Sequence, residues 1–405
     1  MSKVLLAWEL GADYGHVMRF ATLARELVRR GHEPVLVLKD LTHAQALLGD
    51  QGLTVLQAPV WLGDVSGLPQ PASFAETLLR LGFLHPNALT GLCRAWLSLI
   101  ALCKPDVIVC DYAPTALLAT RGLGLPRVTF GDSFAVPPRT QPMPIYRPWR
   151  PEPMARVVQA EQHSLNGANA ALSRLGLPPM RCLADLLDAD DEIITSFAEF
   201  EHYPGRVGGH YAGNLPNPAQ GVPPEWPLVD GPRVFAYIKP GTRDFEAVLK
   251  ALRALDVAAV VHAPGVSTTM QHKYLAANIR FSEQPVRMDD VCRECDIGIC
   301  HAGGTVLALL LAGKPLLLLP AHVEQMMTAK AVQNLGAGLV VDYERPAPDL
   351  RRLIKRLIDE PAFAAAAQAV AARHAGDDPA ARLAAIVDRI EAAAAARPSA
   401  PGPGA

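Results

Sequence analysis

The chain has 405 residues, half of them apolar and 19% charged, with a formal net charge of −2. That length predicts two domains, each able to bury its own core, and the near-neutral balance argues against a nucleic-acid-binding surface. No run reaches the ~18 uninterrupted apolar residues of a membrane span; the longest, TVLALLLAGKPLLLLP, is broken by Gly313, Lys314 and Pro315.

The N-terminus, MSKVLLAWELGADYGH, has no signal-peptide layout and enters a strand directly, so a cytoplasmic protein is expected. VLLAWEL (4–10) reads as a buried strand. The helix that follows carries Phe20, Leu23, Ala24, Leu27 and Val28 at helical spacing, and Gly31 is placed to end it. EPVLVLK (33–39), VIVCD (107–111) and PRVTF (126–130) read as further strands. Their alternation with helical stretches predicts an α/β fold, a parallel sheet with helices on both faces. Residues 131–165 read as irregular, because the prolines in PPRTQPMPIYRPWRPEPM exclude helix through 136–153. Residues 205–233 are rich in Gly and Pro and read as an interdomain linker.

Alternation then restarts with VFAYI (234–238), the helix DFEAVLKALRAL, and the strands VAAVVHA, IRFSE, IGICH, PLLLLP and GLVVD. Two consecutive Rossmann-like domains are therefore expected, 1–214 and 215–395, with ligand in the cleft between them. The Ala-rich helices run to about 395, and residues 396–405 are expected to be a disordered tail. The odd cysteine count of seven suggests no disulfide framework, and Cys93, Cys103, Cys110 and Cys182 read as buried thiols.

The most informative stretch is CHAGGTVLALLLAGKPLLLLPAHVEQMMTAKAVQNLGAG, residues 300–338. A strand delivers His301 to a turn at Gly303, Gly304 and Thr305. Glycines there let backbone approach a diphosphate, and the Glu324–Gln325 pair one βα unit later can hydrogen-bond sugar hydroxyls. Near the N-terminus, His16 follows the first strand and Asp111 ends VIVCD. Both lie at the C-terminal edge of one parallel sheet. There an imidazole can take a proton from an acceptor hydroxyl while a carboxylate orients it. The alternatives are a structural or phosphate-binding His16 and a capping Asp111, with Asp13 as a fallback base.

The 300–338 stretch resembles the donor signature of the UDP-glycosyltransferase-like GT-B families, which include the macrolide and flavonoid glycosyltransferases. The shared positions are His301, Gly303, Gly304, Thr305, Gly313, Pro315, Pro320, Glu324, Gln325, Ala329 and Leu335-Gly336-Ala337-Gly338. The turn is one residue shorter than the family's, so His301 and Thr305 cannot both keep the usual register. The resemblance implies a GT-B fold of two Rossmann-like domains. It implies donor contacts from Thr242, from the backbone around Val286, and from His301, Gly303, Gly304, Thr305, Glu324 and Gln325. It implies His16 as base with Asp111 as its support. The family's proline three residues after that His is Arg19 here.

Tyr146 and Trp149, in the irregular stretch, are candidate acceptor contacts, and its arginines would suit an anionic acceptor. Asp188–Ala189–Asp190 reads as a solvated acidic turn. Cys292, Cys295, Cys300 and His301 lie on a helix and a strand rather than on zinc knuckles, so no metal site is expected. The expected function is an inverting, metal-independent glycosyltransferase with no cofactor beyond its donor. It would move a hexose from a UDP- or TDP-sugar to a hydroxyl of a small lipophilic, aromatic or lipid acceptor, with peripheral membrane contact open. The alternatives are a nucleotide-sugar epimerase or hydrolase of the same fold, or a non-catalytic nucleotide-sugar-binding pseudoenzyme.

Overall fold

A computed structural model describes residues 1–11, 14–42, 44–49, 51–215, 221–343 and 348–396, with Tyr14 described in its backbone only. The chain divides into two compact units, residues 1–217 with 378–405, and residues 218–377.

The first unit runs β1 (Lys3–Trp8), α1 (Tyr14–Arg29), β2 (Glu33–Leu38), α2 (Ala44–Leu48), β3 (Thr54–Gln57), α3 (Phe74–Leu78), α4 (Pro86–Cys103), β4 (Val107–Asp111), α5 (Pro114–Ala119), β5 (Arg127–Gly131), α6 (Met154–Leu175), β6 (Asp191–Ile194) and β7 (His210–Tyr211). The strands form one parallel sheet in the order β3-β2-β1-β4-β5-β6-β7. Every residue of β4 is buried, as a continuous apolar run covered on both faces requires. On α1, Val17, Phe20, Ala21, Leu23, Ala24 and Leu27 enter the core. Val28, expected in that stripe, is instead exposed. Gly31, at φ +81°, closes the helix: its N–H donates to Val28 O and the next N–H, from His32, to Leu27 O.

The irregular stretch is shorter than its composition suggested. Residues 154–165 are helical because the prolines stop at Pro153, the residue that caps α6, where a missing N–H costs nothing.

The second unit runs β8 (Arg233–Tyr237), α7 (Phe245–Arg253), β9 (Ala258–His262), α8 (Thr268–Tyr274), β10 (Ile279–Ser282), α9 (Met288–Glu294), β11 (Ile297–Cys300), α10 (Thr305–Leu311), β12 (Leu316–Leu318), α11 (Val323–Asn334), β13 (Gly338–Val340), α12 (Leu350–Asp359) and α13 (Pro361–Arg373). Its parallel sheet has the order β10-β9-β8-β11-β12-β13. Both sheets therefore reverse direction of growth at one place, between β1 and β4 and between β8 and β11. Such switch points leave a crevice at the strand C-termini.

The expected domain limits need correction at both ends. The first boundary falls at 217/218, and β7 lies inside the presumed linker. The last helix, α14 (Pro379–Ala395), belongs to the first unit rather than to a 215–395 domain. Ile386, Val387 and Ile390 of α14 share a core with α1 and β4. Polar contacts hold it too: Arg30 reaches Asp388 and Glu391, and Arg389 reaches Asp191. Of the expected tail, Ala396 caps α14, while residues 397–405 and the fallback base Asp13 lie outside the described residues. Among the described residues no helix is long and apolar enough to cross a membrane.

Candidate functional site

The first cluster forms at the β1/β4 switch point. Trp8 and Asp111 are register partners on the two strands, and His16 lies in the first turn of α1. His16 Nδ1 is 2.9 Å from Asp111 Oδ2. Arg19, one turn further on, places NH2 3.0 and 3.2 Å from the two Asp111 oxygens and NH1 3.7 Å from Asp132. Asp111 is fully buried, and burial works to raise its carboxyl, but Arg19 and His16 overcome that and hold it below the usual carboxylate range. An ionised carboxylate at 2.9 Å requires the proton on Nδ1, which leaves the lone pair on Nε2.

The rest of the ring is mostly covered, with 12% of the side chain exposed. Trp8 stacks on it with centroids 5.0 Å apart. Gly11, at φ +86°, runs so close that a Cβ there would fall inside the van der Waals envelope of Nε2. Lys39 Nζ donates to Gly11 O at 2.6 Å and ties that loop to the end of β2. Neither Gly11 nor Lys39 carries a signal in the sequence beyond its place at a strand end.

A cavity of about 10 Å³, room for a single water, is lined by Phe74, Cys110, Tyr112, Leu117, Ala135 and Leu187 among others. Tyr112 takes a left-handed backbone, φ +48°, where a side chain is strained. Its ring meets Phe74 and, edge-on, Phe134. The expectation for Tyr146 needs correction. It is fully buried, its hydroxyl 2.9 Å from Thr77 Oγ1 and its ring against Phe134, so it supports this aromatic group from behind. Trp149 is partly exposed on a turn.

The second cluster forms at the β8/β11 switch point of the other unit. His301 is nearly buried, and both ring nitrogens are engaged: Nε2 accepts from Lys239 N–H at 2.9 Å, and Nδ1 donates to Leu319 O at 2.9 Å. The ring thus clamps the ends of β8, β11 and β12 together. Ala302, not a glycine, makes the left-handed step of the turn at φ +59°. A Cβ on Gly303 or Gly304 would meet open space, so these glycines leave the mouth of the turn clear rather than supplying unusual torsions.

Thr242 Oγ1 donates to Lys239 O at 2.7 Å within the same turn. Gln325 Oε1 accepts from Ala321 N–H at 2.8 Å at the start of α11, and Glu324 is its neighbour in that first turn. Val286 bridges Val222 through the Pro285 carbonyl and the Arg287 amide. Its own amide and carbonyl therefore face the opposite edge. His301, Thr242, Gly303, Gly304, Thr305, Glu324 and Gln325 all follow the C-terminal ends of β8, β11 and β12, as their motif spacing implied.

Other singled-out groups have local explanations. Asp190 accepts from Arg127 N–H, and Asp188 pairs with Arg139. Burial pushes the thiol of Cys292 to about 11 and those of Cys295 and Cys300 to about 12. Cys292 Sγ lies 3.4 Å from Ala308 O.

Residues 246–392 match the family "Erythromycin biosynthesis protein CIII-like, C-terminal domain". The elloramycin glycosyltransferase ElmGT of Streptomyces olivaceus is 45% identical over 78 residues, 19% of each protein. Aklavinone 7-beta-L-rhodosaminyltransferase of Streptomyces galilaeus is 29% identical over 210 residues, 48% of this chain and 46% of that protein. The sequence matches thus span less than half the length of either relative. The crystal structure of the glycosyltransferase VinC in complex with dTDP superposes with a TM-score of 0.70 at 19% identity, over 97% of this chain and 99% of that one. Over its whole length the chain thus has the GT-B fold, and residues 246–392 carry the likeness to the erythromycin CIII-like C-terminal domain.

Proposed function

We propose that the protein transfers a hexose from a nucleoside diphosphate sugar to an acceptor hydroxyl with inversion at the anomeric carbon. The acceptor gives its proton to His16 Nε2, and its oxygen attacks the anomeric carbon. The bond from that carbon to the diphosphate breaks, and the nucleoside diphosphate leaves. Asp111 keeps the Nδ1 proton in place and balances the imidazolium as it forms. The observation that carries this reading is the 2.9 Å contact between His16 and a buried, ionised Asp111.

Unit 2 supplies the donor side. Gly303 and Gly304 leave room at the turn, and Thr242, Thr305, Glu324, Gln325 and the backbone of Val286 are the groups we assign to the donor. We assign His301 a supporting part, because both its nitrogens already hold backbone. VinC was solved with dTDP, which favours a TDP-sugar over a UDP-sugar. The aklavinone-acting relative favours an aromatic or otherwise lipophilic acceptor. No metal enters the scheme, so a chelator should leave turnover unchanged.

The test has two parts. Melting curves with TDP, UDP and GDP should show a rise with at least one of them, since a ligand of the native state stabilises by its occupancy. Mass spectrometry of a matched sugar donor with aromatic hydroxylated acceptors should then show transfer. His16→Ala should keep the nucleotide-induced rise and lose roughly 100-fold in turnover. Near-normal turnover in that variant sinks the assignment. Release of free sugar without acceptor indicates a hydrolase, and nucleotide binding with neither reaction indicates a pseudoenzyme.

A further inference from the structure

Arg19 NH2 lies 2.9 Å from His16 Nδ1 as well as within reach of both Asp111 oxygens. A guanidinium has only donors. Nδ1 cannot accept from Arg19 while giving its single proton to Asp111. Without that proton, a ring lone pair would face a carboxylate at 2.9 Å. The Nδ1 proton therefore points at Asp111, and two donors converge on Oδ2. The short Arg19–Nδ1 distance is then a fixed cation held against the edge of the ring.

We propose that Arg19 is a positioning residue of the dyad: it keeps Asp111 ionised, so that the carboxylate holds the Nδ1 proton of His16, and its charge opposes a second proton on the ring. This inference rests on the reading of His16 as the base. In a bare His–Asp pair the carboxylate favours imidazolium; here the charge of Asp111 is already matched by Arg19. Removing Arg19 would therefore leave the charge of Asp111 free to favour the imidazolium.

The other charged groups around the ring modulate this without cancelling it. Asp132, after β5, offsets Arg19 from 3.7 Å. Lys39, after β2, adds positive charge over Gly11. Glu9, after β1, turns its carboxylate onto the Thr115 and Ala116 amides. On α1 itself the residue one turn on from His16 is Arg19.

The experiment follows the ring directly. Protein labelled with ¹⁵N-histidine is titrated by NMR, with the His16 signals assigned by their loss in His16→Gln. In Arg19→Met the titration midpoint of those signals should rise by about one pH unit, the size expected when one adjacent charge is removed. In Arg19→Lys it should stay close to wild type. The acid limb of kcat/KM should move in the same directions. An unchanged midpoint in Arg19→Met, or an equal rise in Arg19→Lys, overturns the proposal.

If Arg19→Met fails to fold, Arg19→Gln serves instead, and an unchanged midpoint there likewise overturns the proposal. The NMR readout needs no turnover. Absence of transfer by the wild type would sink the functional reading, while the midpoints decide the role of Arg19 separately.

Discussion

His301 shows how much a motif position conceals. Its place in the sequence was legible from the spacing of His301, the glycines and Thr305. Its partners were not, because Leu319 and Lys239 lie 18 and 62 residues away. A ring that accepts from one backbone group and donates to another is held in one neutral tautomer. Removing it leaves a donor and an acceptor unmatched between strands, at about 1–3 kcal/mol for each buried group. His301→Ala should therefore destabilise the second unit by about 2 kcal/mol or more with no nucleotide present. Denaturant unfolding of the apo protein measures it. A ligand contact alone would predict an unchanged apo midpoint and a loss only in the nucleotide-induced shift. The same blindness applied to Arg19 and Gly11. Each was visible as a residue, but its contact with His16 depends on how α1 and the loop before it fold over the end of β1.

At the scale of elements, the strands were the readable part. A parallel sheet buried on both faces writes itself as apolar runs, as in β4 and β12. The two-residue strand β7 carries no such run, and the prolines up to Pro153 mask the start of α6. Close approach of elements was likewise invisible. Gly167 of α6 lies against the Phe83 carbonyl, so close that a Cβ would overlap the oxygen. Gly167→Ala must push α6 away from the turn at 79–83. The expected cost is about 2 kcal/mol, typical of overpacking, although alanine is the better helix former. A gain in stability would show that the contact relaxes freely.

Glu9 joins two elements in another way. It leaves the end of β1 and accepts from the Thr115 and Ala116 amides, at 3.0 and 2.6 Å, in the first turn of α5. Burial pushes its carboxyl from 4.5 to about 7, against the pull of those amides. Between those two values the folded protein binds a proton that the unfolded chain does not. Stability therefore falls as pH rises through that window and stays low above it. The full effect is about 3 kcal/mol. Urea unfolding at pH 5 and pH 8 should show a larger loss for wild type than for Glu9→Gln. Equal losses would mean that Glu9 stays ionised throughout.

For the molecule as a whole, the division into two Rossmann-like units followed from strand–helix alternation, but the return of the chain did not. An alanine-rich helix after the last strand of a domain reads as part of that domain. What assigns α14 to the first unit is packing: Ile386, Val387, Ile390 and Ala393 complete the core over α1, β4 and β6. Glu391 meets Arg30 and His32, and Arg382 donates to Asn214 O. The three large aliphatic side chains alone are worth about 1.5–3 kcal/mol each when buried, a sum comparable to the whole stability of a domain, about 5–15 kcal/mol. A chain ending at residue 377 should therefore lose the cooperative unfolding of the first unit, even though the His16–Asp111 dyad is untouched. Hydrogen exchange should show β1 and β4 unprotected while β8 and β11 remain protected. If β1 and β4 kept their protection, α14 would be an ornament on a core already complete, and the first unit would end where its own sheet does.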